Sequence, residues 1–136
     1  MQQRRGNMPD RTEAAEAASA AGFRLGVVML ATSFPRLKGD MGHPETFPFP
    51  VLYRRVEQAQ VARVVTEGET APELAEAILE TARALETEGA SLVATSCGFL
   101  GGLQTRLQAA LSVPVIASSL LLLPLLRTLY GPARPI

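Results

Sequence analysis

Short apolar runs alternate along the chain with longer stretches in which apolar residues recur every three or four positions. The runs at residues 24–31, 61–66, 91–97 and 113–117 have the length of strands, and the first is almost continuously apolar. Such runs are typical of strands in a sheet that is covered on both faces. The pattern therefore predicts four strands.

Helical spacing fills the intervals between and after these runs. It predicts a short helix at residues 51–59 and a longer one at 70–89, which begins at a threonine cap followed by proline and glutamate. Two further helices with leucine-rich faces are predicted at residues 100–111 and 120–129. Strands that alternate with helices need crossover connections, and these make the sheet parallel. We therefore expect a three-layer α/β/α fold with a parallel four-stranded sheet.

The chain has 136 residues, which is the size of one domain. Residues 1–22 are polar and then alanine-rich, with little apolar surface to dock, so we expect them to form a mobile N-terminal tail. The α/β domain is expected to span residues 23–136.

An irregular stretch follows the first predicted strand. Between residues 34 and 50, four prolines and two glycines interrupt any regular pattern. Irregular segments of this length are uncommon in small domains. Two interpretations stay open here, a binding loop and a proline-stiffened surface loop.

Small polar residues follow three of the four predicted strands. Because the carboxyl ends of parallel strands share one edge of the sheet, these residues are expected to lie together where ligands of α/β sheets bind. Hydroxyl groups and free backbone N–H groups can bind a carboxylate or a phosphate. The pattern predicts a small anionic ligand near Thr32 and Ser33, Thr95 to Cys97, and Ser118 and Ser119.

Cys97, the only cysteine, stands where the third predicted strand turns into a helix. Backbone N–H groups and the positive end of the helix dipole converge at such a turn, and both favour the thiolate. A reactive cysteine is one interpretation, and a buried structural cysteine that packs as a small hydrophobe is the other. His43 is a candidate base for Cys97, but a histidine in a proline-rich loop is more often a surface residue.

Charge and composition argue against several classes of function. Thirteen basic residues balance thirteen acidic ones, so no charge excess indicates a nucleic acid partner. One cysteine permits no internal disulfide and fits a reducing compartment, and with one histidine it provides too few soft ligands for a structural zinc site. The longest apolar stretch, residues 113–126, is too short to span a bilayer. We expect a cytoplasmic protein with no metal and no membrane partner.

Three stretches of the chain resemble the aspartate/glutamate racemase superfamily, which includes hydantoin racemases and arylmalonate decarboxylases. They are residues 26–30 with the following loop at 34–51, residues 95–99, and residues 113–119. The loop motif is the most specific of the three. Together the stretches cover most of residues 24–131.

The resemblance implies proton transfer, without a cofactor, at the carbon next to a carboxylate of a small acid or amino acid. Two cysteines, one from each of two similar α/β halves, would act on opposite faces of that carbon. Cys97 corresponds to the cysteine of the first half. The surrounding turn would contact the substrate through Thr95, Ser96, Gly98 and Phe99, and the neighbouring strand ends would do so through Thr32, Ser33 and Ser118.

The chain departs from the family pattern because it holds one cysteine and not two. We expect it to correspond to the N-terminal half, with the second domain missing, and to be inactive or incomplete as a racemase. The alternative is a non-catalytic α/β module that binds a small anion or a protein partner. The last predicted helix is apolar on all sides and needs cover, so we also expect a homo-oligomer.

Overall fold

The computed structural model describes residues 11–66 and 68–131. In chain order its strands and helices are α1 (Arg11–Ala20), β1 (Leu25–Leu30), β2 (Val51–Val56), α2 (Val61–Val64), α3 (Pro72–Thr87), β3 (Leu92–Thr95), α4 (Gln104–Ala110), β4 (Val115–Ile116) and α5 (Leu123–Tyr130). Two short 3₁₀ helices, Gly98–Leu103 and Ser119–Leu122, lead directly into α4 and α5.

The four strands form one parallel sheet in the order β2-β1-β3-β4. Leu25 of β1 pairs with Val51 on one side and with Leu92 on the other, while Val93 pairs with Val115. All four carboxyl ends therefore lie at one edge of the sheet. The predicted α/β class with a parallel four-stranded sheet is confirmed.

The second strand and the short helix beside it exchange places relative to the prediction. The helix predicted at residues 51–59 is wrong, because Val51–Val56 is strand β2; the strand predicted at 61–66 is wrong, because Val61–Val64 is a single helical turn. β2 lies at the edge of the sheet, where the exposed Arg54 and Arg55 break the apolar run expected of a buried strand.

Strand β1 contributes side chains to both clusters of the apolar core. Val28 and Leu30 belong to the larger cluster, which includes Leu74, Ile78 and Leu85 of α3. Alternate positions on a strand point to opposite faces, so Leu25 and Val27 belong to the second, smaller cluster. Helices α3 and α4 thus cover one face of the sheet.

The irregular segment at residues 31–50 covers the other face. Met41, Phe47 and Phe49 pack into the second cluster beneath β1. Phe49 meets Phe23 edge-on, with 5.1 Å between ring centroids, and stacks on Phe47 at 5.4 Å. The aromatic packing makes this segment a layer of the fold.

A close approach between β1 and the end of α3 requires glycine at position 26. A Cβ atom there would lie 2.9 Å from Cβ of Ala90 and 3.1 Å from Cβ of Leu85. Both neighbours are buried and have little room to move. This contact sets the distance between the end of α3 and strand β1.

The predicted tail is only partly within the described chain. Residues 1–10 lie outside the described residues, and Arg11–Ala20 forms helix α1. The mobility of residues 1–22 and the domain boundary at residue 23 stay predictions. In the part of the chain that is described, no helix is long and apolar enough to cross a membrane.

Candidate active site

The carboxyl ends of β1 and β3 open into a small cleft. Its volume is about 210 Å³. It lies where parallel α/β sheets bind their ligands. The cleft is lined by Leu30, Thr32, Phe34, Arg36, Val61, Val65, Ser96, Cys97 and Phe99.

Cys97 stands at the turn between β3 and the 3₁₀ helix Gly98–Leu103, as the strand-turn-helix pattern predicted. Its backbone is extended, with φ −141° and ψ 122°. Its side chain is half-buried, borders the cleft and packs partly against the larger core cluster. A thiol in this position is accessible from the cleft and shielded on its other side.

Ser96 joins the two central strands beside the thiol. Its Oγ accepts a hydrogen bond from the backbone N–H of Leu30 at 3.2 Å, and its own N–H donates to the carbonyl of Val28 at 3.0 Å. The hydroxyl keeps its proton for a further acceptor. Ser96 can therefore donate to a ligand in the cleft while it holds β1 against β3.

Thr95 lies beneath the turn and is buried, with 6% of its surface exposed. Its hydroxyl donates to the carbonyl of Ala117 at 2.7 Å, and the carbonyl of Cys97 lies 3.1 Å away. These contacts tie the turn that carries the thiol to the end of β4. In this structure Thr95 positions Cys97 and does not face the cleft.

Ser118 also lies beneath the turn. Its Oγ accepts a hydrogen bond from the N–H of Leu120 at 3.1 Å and so caps the second 3₁₀ helix. A Cβ atom on Gly98 would lie 3.5 Å from this Oγ, and one on Gly101 would lie 3.0 Å from Cβ of Ser118. Gly101 therefore allows the turn to lie directly on the end of β4, whereas a Cβ atom on Gly98 would make only an ordinary van der Waals contact.

Arg36 borders the cleft, although no role had been assigned to it from the sequence. Its Nη2 donates to the hydroxyl of Thr32 at 2.9 Å, and its Nη1 donates to Asp40 at 2.8 Å. Its Cζ lies 4.4 Å from the ring centroid of Phe34. A single basic residue in a loop gives no periodic signal, so only the folded loop reveals this position.

Asp40 holds the other side of this arginine. Its carboxylate accepts the N–H of Gly42 at 2.7 Å as well as the bond from Arg36. The Gly42 N–H, and after it the Arg36 guanidinium, hold the pKa of the Asp40 carboxyl below its usual value. Asp40 therefore stays ionised at neutral pH and keeps Arg36 in place.

The predicted site residues fall into three groups. Cys97 borders the cleft with Thr32, Ser96 and Phe99. Thr95, Gly98 and Ser118 lie beneath or beside the turn that carries the thiol. Ser33 is exposed and is not among the described residues that line the cleft. Their roles as substrate contacts stay predictions.

His43 is not among the described residues that line the cleft with Cys97. Its Nδ1 accepts a hydrogen bond from the N–H of Glu45 at 3.1 Å, and its carbonyl accepts one from the hydroxyl of Tyr53 at 3.2 Å. These contacts stabilise the loop. In the described parts of the chain, no group of three or more His, Cys, Asp or Glu side chains could hold a metal ion.

Known proteins resemble this chain in sequence. A dimethylsulfoniopropionate lyase of Durusdinium sp. clade D is 35% identical over 108 residues, which are 79% of this chain and 36% of the lyase. Dimethylsulfoniopropionate lyases 7 and 6 of Emiliania huxleyi are each 29% identical over 79% of this chain, covering 31% and 28% of their own lengths. This chain thus spans about a third of the length of the curated relatives it matches. No family model matches it.

A solved structure shares the fold. A glycine-to-cysteine variant of arylmalonate decarboxylase, in a sulfate-associated form, superposes with a TM-score of 0.54 and 21% sequence identity. The match covers 78% of this chain and 46% of the decarboxylase. The chain therefore has an aspartate/glutamate racemase-like α/β fold.

Proposed function

We propose that Cys97 is the acid/base of a proton transfer, without a cofactor, at the carbon next to the carboxylate of a small acid. The observation that carries this proposal is the half-buried thiol at the mouth of the cleft on the carboxyl edge of a racemase-like sheet. A cleft of about 210 Å³ suits a molecule of few atoms. The cleft volume therefore limits the expected substrate to a small carboxylate.

The surroundings of Cys97 suit removal of a proton from carbon. A thiolate in a partly desolvated cleft can accept the proton, and the charge that develops on the carboxylate oxygens needs nearby donors. Ser96 can supply one through its hydroxyl proton. Apolar side chains such as Val61 and Phe99 border the same cleft.

The similar proteins favour the same first step. Dimethylsulfoniopropionate has a carboxylate, and its sulfonium group is bonded to the second carbon from that carboxylate. Loss of a proton from the first carbon, with formation of a double bond to the second carbon and cleavage of its bond to sulfur, would give acrylate and dimethyl sulfide. In an amino acid, return of a proton to the opposite face would instead invert the stereocentre. Similarity to the named lyases favours elimination as the outcome for the complete site. One thiol reaches one face of the carbon, so we expect this chain alone not to racemise amino acids.

Isotope exchange in heavy water tests the proposal. Aspartate, glutamate, substituted malonates, hydantoins and dimethylsulfoniopropionate would each be incubated with the wild-type chain and with Cys97→Ser. We expect deuterium to replace the hydrogen on the carbon next to the carboxylate or ring carbonyl, with retained configuration for aspartate and glutamate, or dimethyl sulfide to be released from dimethylsulfoniopropionate. The Cys97→Ser variant should do neither. Ser112→Ala is the matched control, because Ser112 is exposed and is not among the described residues that line the cleft.

A second candidate function is an anion-binding module without catalysis. The single cysteine favours it, because inversion of a stereocentre calls for a base on each face. Absence of exchange and of dimethyl sulfide with every compound would overturn the catalytic proposal and favour this second candidate. Full racemisation would overturn the expectation that one thiol serves one face.

A further inference from the structure

The charge of the cleft is concentrated in one side chain. Among the described residues that line it, Arg36 is the only charged one, and most of the others are apolar. A carboxylate that enters such a cleft loses hydration, and this loss must be offset by a partner of opposite charge. The polar neighbours Thr32, Ser96 and Cys97 offer no positive charge.

Arg36 is held in a fixed position before any ligand arrives. Its side chain is 18% exposed, and it is fastened to Asp40, to Thr32 and against the ring of Phe34. The guanidinium group has five N–H donors in a planar fork, and the contacts to Asp40 and Thr32 use two of them. The remaining donors can bind a carboxylate with little further loss of side-chain entropy.

We infer that Arg36 binds the carboxylate of the substrate in the cleft bordered by Cys97. Arginine is well suited to this because its fork matches the two oxygens of a carboxylate. The inference deepens the proposed function and rests on it for the identity of the ligand as a substrate. Binding of a carboxylate by Arg36 does not require that the ligand be turned over, so it can be tested separately from catalysis.

A purely structural role for Arg36 makes a different prediction. If Arg36 only braces the loop through Asp40, then Arg36→Gln and Asp40→Asn break the same ion pair and should have the same effect. If Arg36 binds the ligand, Asp40→Asn keeps the guanidinium, which Thr32 and the ring of Phe34 still contact at the cleft. Binding by Asp40→Asn should then stay well above that of Arg36→Gln, because the lost positioning contact is partly offset by removal of a competing negative charge.

The test uses propionate as the probe and propionamide, its neutral analogue of similar shape, as the comparison. Binding is followed by titration of the backbone amide signals in NMR spectra of the full chain. We expect the wild-type chain and Cys97→Ser to bind propionate better than propionamide. We expect Arg36→Gln to weaken propionate binding by about tenfold or more, since a charged hydrogen bond is lost.

Lys38→Gln is the matched control for overall charge. Lys38 lies on the same segment, is 70% exposed and pairs with Glu45 away from the cleft lining. Its loss should leave propionate binding unchanged. Arg36→Lys keeps the charge without the fork, and should bind propionate more weakly than the wild-type chain but still better than propionamide, a result that does not depend on whether Arg36→Gln folds.

Three results would overturn the inference: propionate binding that is unchanged in Arg36→Gln, equal losses in Arg36→Gln and Asp40→Asn, or no binding of propionate by the wild-type chain. Arg36-dependent binding of propionate without any proton exchange would instead overturn the proposed function and leave this inference standing. The two can therefore fail separately.

Discussion

Side chains around Cys97 hold the strand ends together before any ligand is present. Ser96 fastens β3 to β1, Thr95 fastens it to the residue after β4, and Ser118 caps the helix that follows. All three hydroxyl groups thus stabilise the fold, and among them only Ser96 also borders the cleft. The side chain of Cys97 makes no capping hydrogen bond to the 3₁₀ helix Gly98–Leu103 that it precedes.

Cys97 is expected to react with iodoacetamide in the native protein, because its side chain is half-exposed and borders an open cleft. Mass spectrometry should show one adduct without denaturant and none on Cys97→Ser. Carboxylate ligands that occupy the cleft should slow the reaction. Labelling that requires denaturant would assign Cys97 to the core.

Asp40 is expected to stabilise the fold in a pH-dependent manner. Its pKa is lowered in the folded chain by the Gly42 N–H and then by Arg36. Its contribution is therefore complete well above the ordinary carboxyl value of 3.8 and is lost as the pH falls through the lowered pKa of the folded state. Stability above pH 5 should fall in Asp40→Asn, and the difference from wild type should shrink below about pH 4.

Urea unfolding midpoints at a series of pH values between 6 and 3 measure this effect. Glu45→Gln is the control, since Glu45 is a carboxylate on the same segment that is 70% exposed and pairs with Lys38. A difference between wild type and Asp40→Asn that persists undiminished at pH 3 would show that the carboxylate's charge is not the cause.

Among the secondary-structure elements, the distance between helix α3 and the sheet depends on Gly26. Gly26→Ala should destabilise the fold by about 1–3 kcal/mol, because the added methyl group meets Ala90 and Leu85 in a filled core. Chemical denaturation measures the change. Gly102→Ala is the control, since a Cβ there meets nothing within 4 Å, and we expect a change within about 0.5 kcal/mol.

The elements that could be predicted are those whose pattern reflects burial on a fixed face. Helix α3 was predicted from its spacing and its proline start, and β1 from its continuous apolar run. The pair β2 and α2 could not be placed, because β2 is an edge strand with exposed arginines and α2 is one turn long. In such short segments the tertiary position outweighs local pattern.

The site was predictable to a similar extent. A strand that ends in small polar residues and a cysteine indicates a position at the carboxyl edge, and Thr32, Ser96, Cys97 and Phe99 do border the cleft. The sequence could not distinguish hydroxyls that face the cleft from those that bond to backbone beneath it, as Thr95 does. That distinction depends on strand order, which brings Ala117 next to Thr95.

For the whole molecule, the last two helical elements present an apolar surface. Helix α5 as described has no buried residue, and exposed leucines continue from the preceding 3₁₀ helix. We expect the chain to self-associate through this surface, because apolar patches of this kind mark contact sites. Light scattering at micromolar concentration should show a dimer or a larger species, and Leu125→Lys with Leu129→Lys should return it to a monomer.

A stable wild-type monomer in the same measurement would contradict this expectation. Val61→Lys is a suitable control, because Val61 is an exposed valine at the cleft and lies outside α5. It should leave the association unchanged.

The segment at residues 31–50 belongs at once to the cleft and to the core. Phe34 and Arg36 border the cleft, while Phe47 and Phe49 pack beneath the central strand. Movement of this segment away from the sheet would expose one face of the core, so we expect its opening to be coupled to unfolding. Hydrogen exchange in β1 should slow when the cleft is occupied, and any ligand found there is expected to raise the melting temperature of the entire domain.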